Sequence, residues 1–264
     1  MRIIHGKHYP ASRRQERALF PIRDLNPTRV TPIVTIGLIL LNVAVFYLWQ
    51  PHDNLDQEAE FLYEKAAIAC ELTTGQPLSE AEINTDQCTE DSAAPVFPDK
   101  NIWLAAVVSM FLHGGIGHLI SNMWFLGIFG NNVEEAYGTV GYLLLYLAAG
   151  VAATAAFVYS NPEATAPLIG ASGAIAGILG AYLVLFPTHR VLTIFIVFFV
   201  HVPAGAYLIL WLFLQFAYQQ PGVAWEAHVG GFIFGVLITL PLRSVLLARL
   251  RRLHEPTPQF RMTR

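Results

Sequence analysis

The sequence predicts an all-α, polytopic membrane protein, a bundle of six transmembrane helices with a long first outer loop. Three observations predict it. Of the 264 residues, 54% are apolar and only 13% charged, about half the charged share of an ordinary soluble domain. Six apolar runs punctuate the chain. The charges are also sorted: seven of the 16 basic residues (Arg2, Lys7, Arg13, Arg14, Arg17, Arg23, Arg29) precede the first run, and six (Arg243, Arg249, Arg251, Arg252, Arg261, Arg264) follow the last. Twelve of the 19 acidic residues lie between Asp53 and Asp99, accompanied only by Lys65 and Lys100. Cations near spans are retained in the cytoplasm, so both termini are expected inside and the crossings even in number. A net charge of -3 gives no basic face for nucleic acid. The expected surroundings are a lipid bilayer and other membrane proteins.

Residues 1–30 read as a cytoplasmic tail. No cleavable signal peptide is expected, because the first apolar run is too long and begins too far along. A transit-peptide reading of the leader is weakened by Pro10, Pro21, Pro27, Glu16 and Asp24. A bacterial plasma membrane is the expected location. The helical domain covers 31–243, with an extracytoplasmic loop over 51–112, and 244–264 form a basic cytoplasmic tail.

The first span runs from about Pro32 to Trp49, before Pro51. In the outer loop Glu58–Glu71 looks helical, a polar stretch with Gly75 and Pro77 follows, and Ile102–Leu112 is apolar enough to lie along the membrane surface. The second span begins near His118 and is expected to end before Glu134-Glu135. The third covers Val140 to Tyr159, and the fourth Ser172 to Phe186, stopped by Pro187. Val191–Val200 plus the next run is too long for one upright crossing, so it reads as an interfacial or re-entrant piece on the cytoplasmic side. The fifth span falls between Pro203 and Tyr218, the sixth between Ala227 and Leu240. This order puts 51–100, 160–171 and 219–226 outside and Arg190 inside.

The fourth span is short. Fifteen residues reach about 22 Å at about 1.5 Å each, against about 30 Å of hydrocarbon. If Pro187 marks the inner surface, Ser172 is submerged, where irregular chain survives only inside protein or beside a water-filled cavity.

Cys70 and Cys88 are the only cysteines, and they enclose 17 residues. Two free thiols or one bond would fit that spacing. Outside the membrane disulfides persist, and an acidic stretch poor in apolar residues cannot order itself by burial. An intramolecular disulfide that ties the loop is therefore expected, worth about 3 kcal/mol in the chain-entropy model.

Chemistry concentrates in three places. Gly170-Ala171-Ser172-Gly173 presents a hydroxyl at a helix start, where free N–H groups can hold an oxyanion. Taken alone, Gly, Ala and Ser are also ordinary at packed transmembrane interfaces. His228 begins the sixth run, and an ionisable residue there is expensive. Gly231 and Gly235 share its face, as Gly173, Gly177 and Gly180 share one on the fourth helix. Such faces let backbones approach, bringing imidazole and hydroxyl within hydrogen-bond reach, although a histidine can also serve only as interhelical glue. Third, His118 and Asn122 are four apart near the outer end of the second helix, both able to donate to developing negative charge. His113 reads as a structural loop residue. His-x4-His lacks the Glu of a zinc helix motif and a third ligand, so no metal and no other cofactor is expected.

In these motifs the chain resembles the rhomboid intramembrane serine proteases, over roughly residues 30 to 243. The matching residues are His113/His118/Asn122, Gly170/Ser172/Gly173 and Ala227/His228/Gly231/Gly235. The resemblance implies a six-helix bundle and a Ser172–His228 dyad without a carboxylate. It also implies an oxyanion site from the Ser172 N–H, His118 and Asn122, and transmembrane substrates cut near the outer side. There are departures. Trp103 is followed by Leu104 and not Arg, and the position four after the nucleophile is Ala176 where some members carry an aromatic support for the base. What orients His228 is open at this stage, since Glu226 is poorly placed for the role. A catalytically inactive rhomboid-like helix binder is the alternative. A small transporter is disfavoured because the polar residues gather at one depth.

Overall fold

The computed structural model describes residues 20–255 apart from 53, 90–92, 196–197 and 220–221. The tail cations Arg2, Lys7, Arg13, Arg14, Arg17, Arg261 and Arg264 lie outside the described residues. The protein is mostly helical. The apolar runs form α1 (Ile33–Leu48), α6 (Ile116–Tyr137), α7 (Thr139–Ser160), α8 (Ser172–Leu185), α9 (Ala204–Ala217) and α10 (Trp225–His254). The outer-loop sequence holds α2 (Leu55–Lys65), α3 (Ala69–Thr74), α4 (Glu80–Thr85) and α5 (Ile102–Val108). By length and composition α7 and α10 can cross a membrane, as can α6 taken with the α5 segment across a 79° bend. The other three apolar helices are shorter. Leu48, Val140, Leu144, Phe213 and Leu237 are exposed on the outward faces of these helices. Water penalises a belt of that kind and lipid does not.

At the centre stands α8, with 11 of its 14 residues buried. Its small residues let the backbones of α8 and α10 touch. A Cβ added to Gly231 or Gly235 would strike the carbonyl oxygen of Gly173 or Gly177, and one on Gly180 that of Phe232. On the other side of α8, Gly173 and Gly177 lie against the methyls of Ala153 and Ala149 of α7. No large side chain fits there, so packing fixes how α7, α8 and α10 sit.

Several expectations need correction. The second helix does not stop before Glu134-Glu135 but runs through both to Tyr137. The two carboxylates earn their burial as caps. Glu134 accepts from the Val34 and Thr35 N–H groups at 2.9 and 2.8 Å, at the open start of α1. Glu135 accepts from Arg29 and Val30 N–H and contacts His254 at 3.0 Å. With Leu246, Leu247 and Leu250 packed on the core, the last helix passes Pro241 and continues to His254, where the sequence alone ends it near Leu240. Residues 244–254 are thus helical.

The all-α description also gives way locally. Apart from 196–197, Val191–Val200 belongs to an antiparallel strand pair, β4 (Arg190–Phe195) and β5 (Phe198–Pro203). A strand from the supposed tail, β1 (Phe20–Asp24), joins it in the order β1-β4-β5. β-Branched and aromatic residues favour extended chain here. Phe20 rests on Trp124 of α6 with ring centres 5.7 Å apart, and the Trp124 indole donates to the Pro21 carbonyl at 2.7 Å.

The described residues of 54–100 do order themselves by burial. Ile68, Cys70, Leu78 and Ile83 make a small core with Tyr63, Cys88 and Val96 against it. Cys70 and Cys88 are joined in a disulfide. This lobe leans on the chain that leads to Ser172. Its β2 (Ala67–Ile68) pairs with β3 (Pro167–Leu168), and Cys70 N–H donates to the Ala164 carbonyl at 3.0 Å. Ser109 ties both sides, accepting from Ala67 N–H through Oγ and from Gly170 N–H through its carbonyl.

A buried ion pair completes the lobe: Lys100 Nζ lies 2.6 Å from Glu71 Oε2, both side chains at most 2% exposed. Burial pushes the Glu71 carboxyl up and the Lys100 ammonium down from their ordinary values, and each charge offsets that for the other. Lys100→Met should leave Glu71 without its cation and cost about 3–5 kcal/mol. Limited proteolysis of the full-length protein in detergent should then cut between residues 54 and 99 at protease levels that spare wild type. Equal resistance would show that the pair contributes nothing net.

Candidate active site

Ser172 opens α8 because Gly170, at φ 120°, turns the chain in a region that side chains avoid. A Cβ there would also lie 2.8 Å from His118 Nε2. The α8–α10 contact carries His228 to the same level, and its Nε2 is 2.8 Å from Ser172 Oγ. On the far side of the ring, Nδ1 lies 2.7 Å from Oε1 of Gln215, on α9. The Gln215 amide nitrogen donates to the Trp211 carbonyl at 3.4 Å, which leaves Oε1 toward the histidine. A carbonyl oxygen only accepts, so His228 carries its proton on Nδ1. Nε2 is therefore bare and accepts from the serine hydroxyl. Those are the states a nucleophile and its base require before reaction.

Three further side chains frame the pair. His118 Nδ1 accepts from Gly114 N–H at 3.5 Å, which places its proton on Nε2, facing Gly170. Asn122 is 5% exposed, and its Nδ2 donor has no partner among the described residues. Leaving a buried donor unmatched costs about 1–3 kcal/mol, and this one lines the same cleft as Ser172. His113 is fully buried and makes no contact with Ser172 or His228. It packs edge-on to His118, ring centres 5.1 Å apart, and Gln50 clamps its backbone N–H and carbonyl at 2.9 and 3.0 Å. Glu226 turns away from His228 and accepts from Asn161 at 3.1 Å.

Ser172, His228, His118 and Asn122 all line one cleft of about 1160 Å³. Phe125, Tyr207, Phe20 and Pro21 also line it. That volume lies just above the usual range of small-molecule sites. Gln215 and Gln50 were missed in the sequence. Gln215 had a signal, a single amide in the apolar run of α9.

Fold and site define an integral membrane protein with a hydroxyl and an imidazole paired inside its helical bundle. The Rhomboid domain family matches residues 100–245. The chain belongs to the rhomboid family. It is 35% identical over 133 residues to rhomboid protease GluP of Bacillus subtilis, covering 50% of this chain and 25% of that protein. It is 29% identical over 210 residues to the mitochondrial rhomboid protein 1 of Saccharomyces cerevisiae, covering 76% and 51%. The mitochondrial presenilin-associated rhomboid-like protein of Bos taurus is 32% identical over 141 residues, 49% of this chain and 36% of that one. The chain thus spans from a quarter to about half the length of these relatives. The family includes serine intramembrane proteases alongside proteins named only as rhomboid-like.

Proposed function

We propose that the protein is an intramembrane serine endopeptidase that cuts transmembrane helices of other membrane proteins near their extracytoplasmic ends. The observation that carries this is the 2.8 Å contact between Ser172 Oγ and a bare His228 Nε2. His228 takes the hydroxyl proton as Oγ attacks a backbone carbonyl exposed by local unwinding of the substrate helix. Negative charge on the carbonyl oxygen is received by the Ser172 N–H at the start of α8, with His118 Nε2 and Asn122 Nδ2. His228 then returns the proton to the leaving amine, and water hydrolyses the acyl-enzyme. A rhomboid-like helix binder without catalysis would have no use for a bare imidazole nitrogen aimed at a serine. In this reading six crossings put both termini in the cytoplasm of a bacterial cell, supported by the charge sorting, and the disulfide lobe outside. The deciding experiment incubates purified protein in detergent with a single-span substrate and locates the cut by mass spectrometry. A cut within or beside the span, blocked by a fluorophosphonate, is expected; an intact substrate and an unlabelled Ser172 would overturn the proposal.

Asn122→Ala should lower turnover by about 10²–10³-fold without ending it, because it removes one of several donors to the oxyanion. Progress curves with the same substrate measure this, and His118→Ala should behave alike. Unchanged kinetics in the double variant would remove both residues from the oxyanion site.

A further inference from the structure

We infer that Gln215 is a positioning residue for the base, accepting the His228 Nδ1 proton and thereby holding the imidazole in the tautomer and rotamer that face Ser172. The inference rests on the protease reading above and supplies an orienting group for the base. Neither carboxylate nor aromatic fills that place by sequence: Glu226 is committed to Asn161, and Ala176 offers nothing but a methyl.

The geometry is specific. An imidazole can flip about its χ2, which puts carbons where the nitrogens were, and it can carry its proton on either nitrogen; an acceptor on the distal side selects one arrangement. Gln215 Oε1, at 2.7 Å from Nδ1, is such a group. The amide is itself held, by the Trp211 carbonyl one turn earlier. The Trp211 ring lies against the imidazole with centres 6.0 Å apart and stacks on Phe232 of α10, also at 6.0 Å. α9 thus presents a flat wall and an acceptor to the base, while α8 presents the hydroxyl. A neutral amide leaves the imidazole less basic than a carboxylate would, since it has no charge with which to stabilise the imidazolium.

The groups facing His228 are Ser172 from α8, Trp211 and Gln215 from α9, and His118 from α6, with Glu226 two residues before it on α10. His118 and Glu226 are the titratable ones, and both are unchanged among the variants compared. Gln215→Met keeps the length of the side chain and removes the acceptor, whereas Gln215→Glu keeps an acceptor and adds charge. The probe is a fluorophosphonate, and the readout is its rate of reaction with Ser172 of the full-length protein in detergent from pH 5 to 9. Gln215→Met should slow labelling by about 10- to 100-fold, a part of the 10²–10⁴-fold that a general base contributes. Gln215→Glu should label near the wild-type plateau, with the limb that reports the base moved up by about one pH unit. Labelling of Gln215→Met at the wild-type rate would overturn the inference. Equal collapse of both variants would overturn it too, by showing that the amide only packs. If Gln215→Met does not fold, the pH limb of Gln215→Glu decides alone: displaced upward it supports the role, unmoved it refutes it. Wild-type protein with no label on Ser172 would instead bring down the protease reading, and this inference with it.

Discussion

Replacing Ser172 with Ala should abolish cleavage of a single-span substrate, by a factor on the order of 10⁴ or more, and His228→Ala should do the same. The two losses should be alike in size because the residues act as one unit: an unactivated hydroxyl is a poor nucleophile, and a base without its hydroxyl has nothing to activate. Neither change should unfold the protein. Ser172 is half-buried, and its Oγ has the imidazole as partner, so the alanine variant removes one hydroxyl from a bundle held by α7, α8 and α10. Gel analysis of substrate cleavage, run beside a melting curve in the same detergent, separates chemistry from folding. Ser172→Ala that cuts at the wild-type rate would end the protease reading.

Gly235→Ala is expected to be the most damaging single methyl in the protein. The added Cβ would fall on the carbonyl oxygen of Gly177, with the Gly177 carbonyl carbon at 2.7 Å and Cα at 2.9 Å. All three atoms are backbone inside a buried helix, so no side chain can rotate aside and α8 must part from α10. Overpacking of a core costs about 1–3 kcal/mol and occasionally more; a rigid backbone neighbour argues for about 3 kcal/mol or above. Because Ser172 and His228 face each other across the same helix pair, activity should fall with stability. Gly117→Ala is the control, since nothing lies within 4 Å of its added methyl. A large drop in melting temperature for Gly235→Ala alone is the expected result. If the two variants melt together with wild type, the two backbones are not in the contact described.

How far the sequence was readable depended on what kind of pattern each element leaves. Six apolar helices could be read because a long run without charge has few other uses; a glycine-flanked turn marked Ser172 at the start of α8, and glycines on the face of His228 marked α10. The ends were harder. Glu134-Glu135 looks like a polar stop until α1 is known to present bare N–H groups to it, and Pro241 looks like a terminus until His254 is seen against Glu135. Such partners lie about a hundred residues apart and leave no local trace. The strands were hidden for a related reason: Val191–Val200 is apolar but for Thr193, so periodicity could not tell strand from helix. The acidity of 54–100 concealed its core because burial there needs only a few residues, such as Ile68, Leu78 and Ile83, with Lys100 to neutralise Glu71. Gln215 was a lone amide in an apolar run, and its meaning lay in a histidine on another helix.

The way α9 is attached has a mechanical side. Its buried residues, Ala204, Gly205, Tyr207 and Leu208, all belong to its beginning. There Ala204 and Gly205 N–H groups are tied to the carbonyls of His189 and Pro187 at 2.7 and 2.8 Å. Gln215 sits about 15 Å further along at about 1.5 Å per residue. Backbone bonds clamp the helix at this end, the Trp211 ring on Phe232 braces its middle, and the orienting amide rides near its tip. A tilt of about 4° about the clamp displaces that amide by about 1 Å, enough to stretch a short hydrogen bond past its limit. Helix crossing angles vary by about 15–20° among packed pairs. The alignment of the base is therefore an amplified reading of the angle of a single helix.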